Sequence, residues 1–265
     1  MKTIQYFAHK FKPISLKEID GVKLMDRIDT KFMCSSSLIP SLLEIACEFY
    51  RILDIDGLRI MNYQTNYYDT DKFSMYLDHQ NGKLNRFKIR EREYVDSEIS
   101  FLEVKFKNNK NRTIKSRIKR DVPGTSITMQ EKSFLAENSP YPSSSLSFKL
   151  SNSFKRITLA NRDERITIDF DISFSNICGD YLTMPSVAII EVKQKAYSPN
   201  TPIGQILKWF KIPLSGGSKY CIGVASLYPE VKSNRMKPIF KTLHSLSMQS
   251  SPVESKLPDL KLVMS

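Results

Sequence analysis

"LNRFKIRERE", Leu84 to Glu93, places Arg86, Lys88, Arg90 and Arg92 two residues apart, with Phe87, Ile89, Glu91 and Glu93 between them. Side chains alternate across a β-strand, so this spacing predicts a strand with four cations on one face and an apolar start to the other. Alone, such a strand is an ordinary half-buried one with its cations in water. The rest of the chain decides whether they face water or one another.

The pattern recurs. Glu103 and Lys105 share one face of their strand, and Leu102, Val104 and Phe106 the other. Lys115 and Arg117 oppose Ile114 and Ile118; Arg165, Thr167 and Asp169 oppose Ile166, Ile168 and Phe170. Glu191, Lys193 and Lys195 oppose Ile190 and Val192, and Asp29 and Lys31 lie two apart. Two architectures satisfy this. An open sheet could show its charged face to water and pack its apolar face on helices. A closed sheet would turn the charged face into the lining of a tunnel, with helices on the outside and no free edges. Cations outnumber carboxylates, and cations packed in a lumen repel strongly unless an anion sits among them. The closed version is a polyanion site, and its few carboxylates are the oxygen ligands a divalent metal on phosphate would need.

At 265 residues with 41% hydrophobic content, the chain can build one sizeable core, which favours a single domain over residues 1–247. The formal net charge of +12 points to an anionic partner. The start lacks the apolar segment of a signal peptide, and no apolar run is long enough to span a bilayer. Cys34, Cys47, Cys178 and Cys221 form no CxxC pair, and His9, His79 and His244 are isolated. Zinc-finger, disulfide-framework and His-triad readings are poor, and a reducing cytoplasm fits best.

Along the chain, Arg27 to Met33 reads as a strand and "SSLIPSLLEIACEFYRIL" as an amphipathic helix. "LRIMNYQTNYYDT" has strand character, and "DKFSMYLDHQNG" is a helix or turn closing on Asn81-Gly82. Three antiparallel strands follow, with a turn at 108–111 before the third. Residues 124–151 read as loose and partly helical. A hairpin turns at Ala160 to Glu164, the strand "SVAIIEVKQKA" follows, and "PIGQILKWFKIP" is a two-turn helix. Residues 248–265 read as a disordered, Pro-bearing tail. Trp209, beside Ile206 and Phe210, is expected in the core. Tyr63, Tyr67 and Tyr68 are expected in the sheet wall, and Asp69 and Asp71 as helix caps. Arg92 and Lys195, at strand ends, are expected in solvent.

The blocks "MDRIDTKF", "NYYDTDKFSMYLDHQNGKLNRFKIREREY", "FLEVKFKNNKNRTIKSRI", "ERITIDFDI", "IIEVK" and "SKY" resemble, in order, the VTC-type polyphosphate polymerase domain of the triphosphate tunnel metalloenzyme (CYTH) superfamily. The likeness runs from about Asp26 to Tyr220. It implies an α+β fold: a closed antiparallel eight-stranded β-barrel tunnel with helices packed outside. It implies phosphate contacts by Lys31, Arg86, Lys88, Arg90, Lys105, Lys115, Arg117, Arg156, Arg165, Lys193 and Lys219. Catalysis would fall to Lys88, Arg90, Lys115, Arg165 and Glu191. Mn2+ or Mg2+ would be held by Glu191, with Glu103 and Asp169 as further ligands, although Asp169 could instead pair with Arg165. Partners would be ATP or another nucleoside triphosphate, pyrophosphate and inorganic polyphosphate; a membrane-protein partner would have to supply any coupling to transport.

The superfamily's hydrolases begin with an acidic-x-acidic-x-basic strand, whereas this frame reads Arg27-x-Asp29-x-Lys31. Arg27 cannot hold metal, which favours a polymerase over an inorganic triphosphatase. A non-catalytic polyphosphate sensor would tolerate loss of Glu191, which is present. No RNP1-like, KH or helix-turn-helix signature supports a nucleic-acid module.

Overall fold

The computed structural model describes residues 3–21, 28–110, 112–121 and 127–248. Its elements, in chain order, are α1 (Ile4–Ala8), β1 (Lys12–Ile14), α2 (Leu16–Gly21), β2 (Ile28–Ser35), α3 (Ile39–Ala46), β3 (Arg51–Leu53), β4 (Met61–Asp69), α4 (Ser74–Gln80), β5 (Arg86–Tyr94) and β6 (Ile99–Lys107). They continue with β7 (Thr113–Arg120), α5 (Met129–Asn138), β8 (Ser147–Ala160), β9 (Glu164–Asn176), β10 (Tyr181–Met184), β11 (Val187–Gln194), α6 (Pro202–Trp209), α7 (Lys219–Leu227) and α8 (Lys237–Met248).

Eight strands form one antiparallel path, β2-β11-β9-β8-β4-β5-β6-β7, with β1, β3 and β10 attached at its margins. This corrects the closed eight-stranded barrel. The sheet has 11 strands, and no pairing joins β7 to β2 among the described residues. It is nonetheless strongly curled. Lys31 on β2 donates to the Gly217 carbonyl at 3.3 Å, while Lys88 on β5 donates to the neighbouring Ser218 hydroxyl at 2.7 Å. Strands at positions one and six of the path thus reach adjacent residues of one loop.

Alternation explains the two faces. Phe32, Cys34, Ile157, Ile166, Ile168, Ala188, Ile190 and Val192 point outward and bury against α1, α3 and α6. Ile89, Leu102 and Val104 pack outward on Met75 of α4 and Leu135 of α5. The inner face is divided. Part of it is charged; the rest, including Met33, Tyr67, Leu150, Phe154, Phe174 and Ile189, is covered by Tyr220, Cys221 and Ile222 of α7. Gly223 lets that helix in: a Cβ there would stand 2.4 Å from Leu150 Cδ2.

Local chemistry fixes the elements that frame the charged region. Asp69 accepts the amides of Met75 at 3.0 Å and Tyr76 at 2.9 Å, capping α4 as expected, and also the Tyr220 hydroxyl at 2.6 Å, which ties α7 to β4. Asp71 does not cap; it pairs with Lys149 at 3.0 Å. The helix expected through Leu53 ends at Ala46, because Arg51–Leu53 pairs as β3 between β1 and β8. β8 begins at Ser147, inside the stretch expected to be loose. Its polar residues bond across the sheet: the Asn152 amide donates to the Ser173 carbonyl at 2.9 Å, and the Ser153 and Ser173 hydroxyls meet at 2.6 Å. Trp209 is 43% exposed, correcting its core assignment. Arg27, Asn111 and residues 249–265 lie outside the described residues, and with them the acidic-frame argument, part of the 108–111 turn and nearly all of the tail.

Candidate phosphate-binding tunnel

The strand from Arg86 to Tyr94 carries its cations inward, as its alternation requires. A cavity of about 500 Å3 opens between β2 and the β5–β7 meander, lined among others by Asp29, Lys31, Lys88, Lys105, Glu191 and Ser218. Arg86 stands at its edge. In β2 and β11, Lys31 faces Glu191 and Asp29 faces Lys193, so acid and ammonium alternate along that wall.

Beyond the cavity, two carboxylates each hold two cations. Glu103, with a side chain 1% exposed, bridges Arg90 at 2.8 Å and also binds Lys115. Asp169, 3% exposed, accepts from Arg156 through Nε at 2.5 Å and Nη2 at 2.7 Å, and also binds Lys219. Cross-strand pairing dictates these partners, since Arg90 lies opposite Glu103 and Arg156 opposite Asp169. Asp169 therefore pairs with Arg156 and Lys219, not with Arg165 as expected. Arg165 stands beside Lys193 across β9 and β11.

The same crowding sets the ionisation. Burial would raise Glu103 and Asp169, but the surrounding Arg and Lys charges outweigh it and hold both at about 2. Glu191 lies well below the carboxylate range for the same reason, with Lys193 and Lys31 its strongest neighbours. The lysines move the other way. Burial, reinforced by Lys105, Lys31 and Arg90, brings Lys88 down to about 7. Burial likewise brings Lys105, Lys115, Lys193 and Lys219 to about 8, even though each has a carboxylate nearby that opposes the shift. His79, on the cavity wall, is lowered to about 4 by burial and by Lys88 and Arg86, and is neutral at pH 7.

Of the expected phosphate contacts, the fold gathers Lys31, Arg86, Lys88 and Lys105 around the cavity. It sets Arg90, Lys115, Arg156, Arg165, Lys193 and Lys219 on the adjoining inner face. Arg117 shares that face, opposite Glu103, at its exposed rim, its guanidinium 4.5 Å from the Phe101 ring centre. Lys195 is exposed, as expected. Arg92 is not in solvent; it points inward, 5.7 Å from the Tyr63 ring centre. Glu191, Glu103 and Asp169 do not converge, and no group of three His, Cys, Asp or Glu side chains among the described residues is placed to share a metal. The carboxylate that does share the cavity wall with Glu191 is Asp29, which the sequence offered as the acid of the Arg27-x-Asp29-x-Lys31 frame and not as a metal ligand. The 214–218 loop also escaped the sequence reading. Its role follows from Lys31 and Lys88 reaching it across the curl, a contact between residues more than 120 positions apart.

The charged region is thus a curled antiparallel sheet whose inner face interleaves Lys, Arg and carboxylates. The VTC domain family model matches residues 26–228, and the chain belongs to that family. No curated protein matches the sequence. Among solved structures, a protein described as an adenylate cyclase from Bacillus halodurans is 15% identical, with a TM-score of 0.44 over 77% of this chain and all of that one. A Hippeastrum protein assigned as an adenylyl cyclase, and described as revealing a dominant triphosphatase activity, is 14% identical, with a TM-score of 0.46 over 76% of this chain and 96% of its own. Among the described residues no helix is long and apolar enough to cross a membrane.

Proposed function

We propose that the chain is a polyphosphate polymerase that transfers the γ-phosphate of a nucleoside triphosphate, ATP first among them, onto a growing polyphosphate chain. The observation that carries this reading is the convergence of Lys31, from β2 at one end of the sheet path, with the cross-strand pair Lys88 and Lys105 of β5 and β6 on one cavity beside Glu191. Phosphoryl transfer asks the protein for charge neutralisation and in-line positioning and little else. Lys31, Lys88 and Lys105 would grip the donor phosphates. Arg90, Lys115, Arg156, Arg165, Lys193 and Lys219 would grip the acceptor chain. Arg90 and Arg156 enter that role already positioned by Glu103 and Asp169. The acceptor is a phosphate oxygen ionised at neutral pH, so no general base is needed.

Asp29 and Glu191 fit a Mg2+ or Mn2+ ion, because such ions take one or two protein carboxylates and complete their shell with phosphate oxygens and water. When bound, that ion would neutralise charge on the transferred group. Glu103 and Asp169 are poor ligands, since each is engaged by two cations.

Incubation with ATP, Mn2+ and a trace of pyrophosphate, followed by separation of products by length, tests the proposal. A ladder of long chains, lost in Glu191→Gln and Arg90→Ala, is the expected result. Orthophosphate alone would replace the polymerase with a triphosphatase. Tight polyphosphate binding without product would make the tunnel a receptor.

A further inference from the structure

Arg92 is the one cation of the opening strand whose place at a strand end puts it in solvent, yet it is half-buried on the inner face with its Nε sealed from water. Its backbone pairs with Thr65 of β4 and Phe101 of β6, so its side chain shares the inner face with Arg90 and Lys88. The guanidinium lies 5.7 Å from the centre of the Tyr63 ring, and Arg156 approaches the same ring at 5.0 Å. Its Nε is buried with no hydrogen-bond partner, and no carboxylate stands within ion-pairing distance of it among the described residues. Glu103 and Asp169, the nearby acids, are each spent on two other cations.

A planar guanidinium offers five N–H donors and stays charged in proteins. Buried among like charges without an acceptor, it has an unmet demand for an anion. The Tyr63 ring meets part of that demand through its face, but it accepts no N–H in the guanidinium plane. Arg90 and Arg156 are close enough for their charge to act on Arg92. Three guanidinium groups therefore surround one region, and two of them are fixed in place by carboxylates.

We infer that Arg92, together with Arg90 and Arg156, forms an additional phosphate subsite on the inner wall beside Tyr63, separate from the cavity around Lys31, Lys88 and Lys105. The inference rests on the tunnel being a polyphosphate site. The occupant is a phosphate unit of the acceptor chain or, with tripolyphosphate as the probe, one end of a chain whose other end reaches the cavity lysines. Lys88 and Arg92 are four strand residues apart, about 13 Å, so one triphosphate or longer chain can engage both ends.

The test compares wild type with Arg92→Met and Arg92→Lys, using tripolyphosphate titrated by calorimetry and melting temperature with and without it. The expected result is about a ten- to hundredfold loss of tripolyphosphate affinity in Arg92→Met, the scale of a charge-assisted hydrogen-bond pair. Arg92→Lys should recover part of it. The ligand-free melting temperature of Arg92→Met should stay level or rise, since an uncompensated buried charge has been removed. A lower ligand-free melting temperature with unchanged affinity would overturn the subsite and make Arg92 a packing residue on Tyr63. Equal losses of affinity and ligand-free stability, with no recovery in Arg92→Lys, would overturn it as well. Wild type that fails to bind tripolyphosphate would instead bring down the tunnel reading itself, with the subsite following.

Discussion

Lys88 is where the electrostatics of the tunnel can be read most directly. Its ammonium donates to Ser218 at 2.7 Å and lies 6.0 Å from the Tyr220 ring centre, with no carboxylate at ion-pairing distance among the described residues. Burial and the neighbouring Lys105, Lys31 and Arg90 bring it to about 7. At pH 7.5 such a group keeps its proton in about a quarter of molecules, whereas a phosphate beside it favours the charged form. Binding tripolyphosphate should therefore draw about three quarters of a proton onto Lys88 at that pH, and about a tenth at pH 6, where the group is already charged. Because the bound state holds the extra proton, affinity should fall as pH rises through this range. Isothermal titration in two buffers of different ionisation enthalpy measures the uptake. The phosphate oxygens titrate too, so Lys88→Met supplies the reference, and the difference between the two proteins isolates the lysine. A difference below about a fifth of a proton at pH 7.5, or one that does not shrink at pH 6, would refute the reasoning.

Two substitutions separate the functional face from the supporting one. Asp169→Asn leaves Arg156 and Lys219 buried without their counter-charge; it should cost about 3 kcal/mol in urea denaturation without ligand, and saturating tripolyphosphate should recover much of that loss. An unchanged midpoint would show that Asp169 does not hold those cations. On the outer face, Arg120 bridges Glu91 at 3.1 Å and Glu131 at 2.8 Å in a site with all three side chains at most 5% exposed. Arg120→Met should destabilise by a similar amount, about 3 kcal/mol, yet leave tripolyphosphate affinity within about threefold; a larger loss of affinity would mean that the outer cluster shapes the tunnel.

The sequence carried the faces of the sheet further than its boundaries. Period-two alternation in 86–93, 101–106, 165–170 and 190–195 is enforced by burial of the apolar side, so it was legible without any knowledge of pairing. Closure was not legible, because whether β7 meets β2 depends on cumulative twist and stagger, which no local pattern encodes. The polar start of β8, Ser147 to Ser151, looked like loop because Ser and Asn in a strand find their partners only at positions distant in sequence. Helix α8 left a weak mark: Ile239, Phe240, Leu243 and Leu246 pack on the inner core, but at a spacing diluted by Lys and Ser. In the site, cation identity was readable and cation partnership was not. Arg92 looked like a strand end and lies inside. Arg117 reads as a phosphate contact and lies at an exposed aromatic rim.

The partnerships divide the inner cations into two kinds. Arg90, Lys115, Arg156 and Lys219 are bridged by Glu103 or Asp169. Lys31, Lys88, Arg92, Lys105 and Lys193 have no such bridge among the described residues, although Glu191 acts on several of them from a distance. A sheet that needed only to fold would gain from turning the second group outward, since each is desolvated at a cost the protein does not recover. The inward alternation of β2, β5, β6 and β11 prevents that, because reversing one side chain would expose the apolar row behind it. The fold thus binds two properties together: the apolar row that holds the strand in place also commits its cations to the interior. On the proposed function, a phosphate chain entering that interior would release the mutual repulsion of the unbridged group while the bridged group keeps its geometry, so binding would need little rearrangement of the wall.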